Sequence, residues 1–386
     1  LPARLFRWNA RLFGIVVSVL NEIIESEARR AGFAAVGFAA ARRLEERREF
    51  YQGWLDSGRH ADMEYLAREP ARRLDPRSLD ARFRSVISLG YPYAAPAAPQ
   101  RDWRAELRGR IAAYALGRDY HDHVLRAARS VAAALEAHRP GTVTRAYVDT
   151  GPVFEREWGT QARLGWMGKN TMLLSRERGS YFFLAEIFTD AVLEPTAAPY
   201  REHCGTCRRC LDLCPTDALA DRFLIEPRVC ISYLTIENRG AIARELRPKL
   251  GNWIFGCDIC QEVCPWNDSG ARHEPDLAPY LPDLLALDND GFARRFTRSA
   301  IKRAKRRGLL RNAAVVLGNT GNREAVRPLA RTLGSEHEPL VRAHAAWALG
   351  RLGGAEARRA LEDARARETD AAACEEIALA LDEIAP

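Results

Sequence analysis

The chain has 386 residues, of which 47% are hydrophobic and 28% charged, and it carries a net charge of +7. That length predicts two or three domains with real cores, and the composition is that of an ordinary soluble globular protein. The nine cysteines exclude a disulfide scaffold, because they cluster at metal-ligand spacing and leave Cys374 over, which points to a reducing cytoplasm.

Leu1 to Leu20 carries Arg4, Arg7 and Arg11 and an apolar stretch from Leu12, too short to span a bilayer and without a small-residue cleavage site. Residues 1–19 therefore read as a tail. Arg29-Arg30 mimics a twin-arginine signal. Glu22, Glu25 and Glu27 before the pair and Arg42-Arg43 after it instead predict an amphipathic helix leading into a buried strand. From about Leu20 to Pro199, helices alternate with short apolar strands at Val86–Leu89, Thr142–Val148 and Tyr181–Ile187, with a helix over Arg126–His138. This predicts an α/β domain over residues 20–200, with a loop at Tyr91 to Pro99.

Asp149 follows the Thr142–Val148 strand, at a tip where α/β proteins place ligands. Asp149 or Thr150 equally suits a helix cap, with Pro152 near the first turn, and the residues alone leave both open. Gly165-Trp166-Met167-Gly168-Lys169-Asn170-Thr171 has two residues, not four, between glycine and Gly-Lys, so it is no Walker A loop. No G-x-G-x-x-G meets a strand-to-helix turn, so the chain is not expected to bind NAD.

Cys204, Cys207, Cys210 and Cys214, closed by Pro215, form C-x2-C-x2-C-x3-C-P, in which the fourth thiolate reaches across to a second [4Fe–4S] cluster. Cys257, Cys260 and Cys264, closed by Pro265, repeat the C-x2-C-x3-C-P end, and Cys230 stands between the runs to complete eight thiolates. One zinc ion would strand half of them. The interlaced assignment gives Cys204, Cys207, Cys210 and Cys264 to one cluster and Cys214, Cys230, Cys257 and Cys260 to the other. Residues 201–270 thus read as a small ferredoxin-like insert stabilised by its clusters.

After a Pro/Asp/Leu connector at Pro275 to Asp290, Phe292 to Arg311 holds nine basic residues and no acidic one. Phe292, Phe296, Ala300 and Ala304 recur every four positions, which predicts one helix with an apolar stripe and a basic flank. Such a flank is either a solvated face or a contact for nucleic-acid phosphates, and uncompensated self-repulsion favours the second. Asn312–Gly318 then recurs as His344–Gly350, and Leu381 continues the same 32-residue interval. This marks HEAT-like helix pairs over residues 285–386, a scaffold and binding surface rather than a catalytic site.

Taken in order, these motifs resemble epoxyqueuosine reductases, the cobalamin-dependent iron–sulfur enzymes of tRNA queuosine biosynthesis. The resemblance rests on Gly109–Tyr114, Gly117–His121, Asp149–Pro152, Gly168–Thr171, both cysteine runs, Cys230–Glu237 and Arg311-Asn312-Ala313. Ala113 departs from it, since an arginine is expected there. The resemblance implies an α/β N-terminal cobalamin-binding domain, a ferredoxin-like two-cluster domain and a C-terminal HEAT-like α-helical repeat domain that binds tRNA. It implies a base-off cobalamin, and no Asp-x-His-x-x-Gly is present to supply a histidine ligand. Asp149 matches the proton donor, and Arg72, Arg73, Asp149, Lys169, Asn170, Thr171, Ser180 and Ser232 match stretches that line the corrin. The expected tRNA contacts are Arg298, Lys302, Arg303, Arg306, Arg307 and Arg311.

The implied reaction is reduction of an epoxide to an alkene on the tRNA. Its expected setting is a cytoplasmic monomer, off the membrane, fed by an external donor such as a flavodoxin or ferredoxin. Two rivals remain at this level. A reductive dehalogenase also pairs cobalamin with two clusters, but it typically has an export signal and no repeat tail. A non-enzymatic electron-transfer adaptor would bind no corrin.

Overall fold

The computed structural model describes residues 19–96, 102–197, 201–219, 221, 223–267, 273–274 and 278–384. The arginines at positions 4, 7 and 11 and most of the first apolar stretch lie outside them. Helix α1 occupies residues 19–30 and strand β1 follows at Ala35–Ala40. Leu20, Ile24 and Ala28 of α1 are buried, while Arg29 and Arg30 pair with Glu25 and Glu27 on its wet side. The arginine pair thus belongs to an amphipathic helix.

The N-terminal domain continues through α2 (Glu45–Asp56), β2 (Ser85–Pro92), α3 (Tyr120–His138), β3 (Thr144–Tyr147), α4 (Glu155–Gln161) and β4 (Phe182–Thr189). The strands form one four-stranded sheet in the order β1-β2-β4-β3, with every neighbouring pair antiparallel. Because side chains alternate across a strand, Ile87, Leu89, Ala185 and Ile187 face Val124, Ala128, Val131 and Leu135 of α3 together with α1. Val86 and Phe188 face Tyr51 and Leu55 of α2 and Trp158 of α4 on the other side. The result is a helix–sheet–helix sandwich.

Helix α3 begins six residues before the expected Arg126, because Asp119 caps it by accepting the His121 amide. Neither Asp149 nor Thr150 caps a helix, since α4 starts only at Glu155 behind Phe154, which makes no side-chain cap bond. Of the expected loop at Tyr91 to Pro99, residues 91–92 extend β2, and Ala95–Pro96 pairs in parallel with His273–Glu274.

The cysteine module is built on short turns: α5 (Arg209–Asp212), α6 (Ile231–Ile236) and α7 (Ile259–Glu262). Trp253–Phe255 runs parallel to Arg110–Ile111 and joins the module to the N-terminal domain. The connector folds into α8 (Leu281–Leu285) and α9 (Asn289–Arg295). The repeats are α10 (Lys305–Thr320), α11 (Val326–Ser335), α12 (Pro339–Leu352), α13 (Ala355–Arg365) and α14 (Ala371–Glu383). Helices α10, α12 and α14 stack side by side. Gly318 and Gly350 permit that approach: a Cβ on either would lie 2.9 Å from the Cα of Ala348 or Ala380 in the next helix.

Two expectations need correction here. The cysteine module is not held by its clusters alone, because Ile231, Leu234, Trp253 and Phe255 share one apolar core with Leu309, Leu310 and Val316 of α10. The basic segment is not one helix either. Helix α9 stops at Arg295, a 3-10 turn covers Ala300–Ala304, and Arg298 and Lys305 take positive φ values of 55° and 61° on either side of it. Phe292 and Phe296 are still both buried, 5.1 Å apart, so the apolar recurrence marks packing without marking a continuous helix.

Candidate active site

The two cysteine runs fold into two quartets, and none of the nine cysteines is in a disulfide. Cys204, Cys207, Cys210 and Cys264 line a cavity of about 400 Å³ together with Lys169, Asn170 and Trp266. Among the described residues, no three His, Cys, Asp or Glu side chains close to single-ion distance. These thiols ring a wider space, of the kind a cluster fills. Cys214, Cys230, Cys257 and Cys260 act on one another electrostatically as a second group, which Cys210 reaches through Cys260. Burial pushes the Cys210 thiol up to about 11 and those of Cys257 and Cys260 far above their usual range. Thiols held this way ionise when a cationic iron centre meets them.

The second constellation surrounds Asp149. The chain leaves β3 at Tyr147 and turns so tightly that the Thr150 amide bonds to Val148 O at 2.5 Å. Gly151 is required in this turn, because a Cβ there would come within 2.2 Å of the Tyr147 ring. Asp149 itself has φ +56°, an uncommon conformation for a residue other than glycine. Its Oδ2 accepts the Tyr120 hydroxyl at 2.8 Å and lies 3.0 Å from His121 Nε2. The other ring nitrogen of His121, Nδ1, lies 2.6 Å from Asp119 Oδ1. Tyr120 stacks on His121 and on Phe183, with ring centroids 4.1 and 4.3 Å apart. The start of α3 is therefore rigid where it meets Asp149.

Charge follows from this packing. Burial opposes the His121 cation, but Asp149 and Asp119 outweigh it and raise the imidazole to about 9. Burial likewise opposes the Asp149 anion, yet the hydrogen bonds from His121 and Tyr120 and the charges of His121 and Arg156 hold its carboxyl below the usual range. The two form a coupled pair that holds a proton near neutral pH. The Asp149 side chain is 58% exposed, so this pair faces solvent. Tyr65, Tyr114 and Arg303 all feel the Asp149 charge, and Glu237 acts on both tyrosines and pairs with Arg303 at 2.8 Å. Asp258, beside Cys257, also acts on Tyr114 and is raised to about 6 by burial. Through Tyr114 and Asp258 the Asp149 pair is thus linked to the second cysteine group.

The other predicted residues divide. Arg73 is buried, with guanidinium bonds to Tyr65 O at 3.1 Å and Gly151 O at 3.4 Å, and Arg72 pairs with Glu69 at the surface. Lys169 donates to Gly205 O and Cys207 O at 2.6 and 2.8 Å, and Asn170 donates to Cys260 O at 3.2 Å. Ser180 donates to Gln261 Oε1 at 2.8 Å. These three tie the N-terminal domain to the cysteine module, while Thr171 and Ser232 are partly exposed. Arg298, Lys302, Arg303 and Arg307 are exposed. Arg306 turns inward to Glu336 and Leu287 O. Arg311, expected on the RNA face, is buried at 1% exposure, where its guanidinium binds the carbonyls of Leu234, Asn238 and Gly240 and the side chain of Asn312. At Ala113 the backbone amide donates to Asp258 at 2.6 Å.

Sequence reasoning assigned no role to Tyr120, His121, Glu155 or Glu186. Asp119 ahead of Tyr120-His121 was an available helix-cap signal, and it would have placed both residues on a first turn. Nothing in the sequence marks Glu186 as buried within a sheet.

Three family models match: a 4Fe-4S double cluster binding domain over residues 203–267, "Epoxyqueuosine reductase QueG, DUF1730" over 73–150, and HEAT repeats over 298–382. An epoxyqueuosine reductase of Pseudomonas aeruginosa is 39% identical over 348 residues, covering 86% of this chain and 95% of that protein. The fold matches an epoxyqueuosine reductase solved with a tRNA-Tyr epoxyqueuosine-modified stem loop, with a TM-score of 0.89, 30% identity and coverage of 95% and 99% of the two chains. It also matches an epoxyqueuosine reductase from Bacillus subtilis, solved with an aspartate-bearing catalytic loop swung out of its active site. There the TM-score is 0.89 at 28% identity, with 96% and 100% coverage.

Proposed function

The chain belongs to the epoxyqueuosine reductase family, and we propose that it reduces the epoxide of epoxyqueuosine, at the wobble position of a tRNA anticodon, to the alkene of queuosine. The change consumes two electrons and two protons and releases the epoxide oxygen as water. The observation that carries this reading is a solvent-facing, proton-holding pair, His121 and Asp149, linked through Tyr114 and Asp258 to the second cysteine group.

The eight cysteines would hold two [4Fe–4S] clusters, which would supply one-electron transfer. The first quartet lines a cavity, so a cluster held there would be the one to accept electrons from an external donor of flavodoxin or ferredoxin type. Cobalamin would occupy a cleft beside the pair of His121 and Asp149. Two buried polar atoms on the segment that carries Tyr65 have no hydrogen-bond partner: His60 Nδ1 and Arg73 Nε. Such atoms suit a ligand rimmed with amides. Arg72, Arg73, Thr171 and Ser232 would border it, with Lys169, Asn170 and Ser180 supporting the wall behind. When bound, cobalamin supplies a reduced cobalt nucleophile for the epoxide carbon.

The protein's own part is acid catalysis and orientation. Asp119 fixes the His121 ring, Tyr120 fixes Asp149, and the pair delivers its proton to the oxygen leaving the epoxide carbon. Arg298, Lys302 and Arg307 meet tRNA phosphates, and Arg303, anchored by Glu237, borders the cleft where a splayed base enters. Among the described residues no helix is long and apolar enough to cross a membrane. A tRNA substrate is what supports a cytoplasmic setting for the reaction. Anaerobic titration with cobalamin, followed by absorbance, tests the reading against an electron-transfer adaptor. Uptake of about one corrin per chain is expected, and no uptake would favour the adaptor.

A further inference from the structure

Behind Asp149 lie two more carboxyl groups that the reaction does not consume. Glu155, the first residue of α4, accepts the Asp149 backbone N–H at 2.5 Å through Oε1. Glu186 sits in the middle of β4, opposite Ser88 of β2 and Tyr147 of β3, with no exposed surface. Its Oε1 accepts the Ser88 hydroxyl at 3.2 Å, while its Oε2 is buried with no hydrogen-bond partner. The face that carries it is otherwise apolar, lined by Val86, Trp158 and Phe188. A carboxyl group placed there is costly. The two acids also sense each other: burial and then the Glu155 charge raise Glu186 well above its usual range. Burial and then the Asp149 charge push Glu155 up to about 8, against Arg156 and His121.

The turn they support needs support. Asp149 is left-handed without being glycine, and the contact from the far side, Arg73 to Gly151 O, is long at 3.4 Å. Rotating the 149 peptide out of this conformation would carry the carboxylate away from Tyr120 and His121 together. We propose that Glu155, with Glu186 behind it, is a positioning residue that clamps the Asp149 amide and so aims the Asp149 carboxylate at His121 and the cleft. This rests on the role given to Asp149 above. Glu155 does not touch substrate, and its carbonyl-type oxygen, rather than its charge, makes the clamp.

The test compares Glu155→Ala, Glu155→Asp and Glu155→Gln in the full, cluster-loaded chain. It reads hydrogen exchange of the peptide spanning residues 147–151, and kcat and KM on an epoxyqueuosine-bearing stem–loop. Glu155→Ala and Glu155→Asp, whose carboxyl is one methylene short, should speed exchange about tenfold and lower kcat about tenfold at unchanged KM, the effect of one lost hydrogen bond. Glu155→Gln keeps Oε1 and should restore most of both. If Glu155→Ala does not fold, the Asp and Gln variants still decide. Exchange at the wild-type rate in the shortened variants overturns the clamp. So does faster exchange with unchanged kcat, or a Gln variant as impaired as the Asp one. A wild-type protein without turnover would overturn the functional reading instead, and the exchange comparison would still judge the clamp.

Discussion

His121 Nε2 lies 3.0 Å from Oδ2 of Asp149, while the other ring nitrogen lies 2.6 Å from Oδ1 of Asp119. One imidazole thus bridges two carboxylates where Asp149 faces solvent, and Asp149 receives its proton from a partner that stays charged near neutral pH. An Asp149→Asn variant should lose about a hundredfold or more in turnover, the range of a positioned general acid. Its affinity for the stem–loop should stay within about twofold, because Asp149 does not contact phosphate. Single-turnover kinetics with a binding titration check both, and wild-type turnover would end the role of Asp149.

The pH dependence follows from the same pair. His121 is raised from 6.5 to about 9 in the folded protein. Its stabilising contribution is therefore complete below pH 6.5 and is lost as pH rises through about 9. Turnover should fall on an alkaline limb near pH 9, as the pair gives up its proton. In His121→Gln, Asp149 must hold the proton without a cationic partner, so the limb should move to lower pH. A pH–rate profile of the two proteins checks this, and superimposable limbs would separate His121 from the acid.

The thiol partition predicts metal content. Wild-type protein reconstituted anaerobically should hold about eight irons, and Cys230→Ala about four, since it lacks one ligand of the second cluster. Iron analysis with electron paramagnetic resonance of the reduced protein checks this. Eight irons in the variant would place Cys230 outside the quartet.

The arginines of the basic segment should divide by burial. Charge reversal at Arg298, Lys302 and Arg307, which are exposed, should weaken stem–loop binding and flatten its salt dependence by about one slope unit per lost phosphate contact. Arg311→Ala should instead destabilise the fold by about 3 kcal/mol, because it strands the buried carbonyls of Leu234, Asn238 and Gly240. Filter binding across salt concentrations and thermal melting separate the two outcomes. Unchanged binding in the charge-reversed variants would move the footprint elsewhere.

Much of this architecture was legible because it depends on local spacing. The cysteine intervals mark a double-cluster module, and the 32-residue interval dictates the stacking of α10, α12 and α14. What was not legible depends on tertiary contacts. Arg311 reads as one more charge in a basic run, and only the packing of α10 on α6 turns it inward. The apolar recurrence from Phe292 correctly marked buried positions but not the breaks at Arg298 and Lys305, where the backbone leaves the helical region. The strand tip at Asp149 was visible, but its sheet is antiparallel, so the tip is not a parallel-sheet switch point. Its chemistry comes from α3, whose start was placed too late.

The most direct test of the central claim is turnover on the proposed substrate. The cluster-loaded protein, supplied anaerobically with cobalamin and a low-potential reductant, is incubated with a stem–loop bearing epoxyqueuosine, and the nucleosides are analysed by mass spectrometry. Loss of one oxygen to give queuosine, dependent on cobalamin and abolished in the Asp149→Asn variant, is the result predicted. An intact epoxide on bound stem–loop, with cobalamin taken up and reduced, would contradict the account.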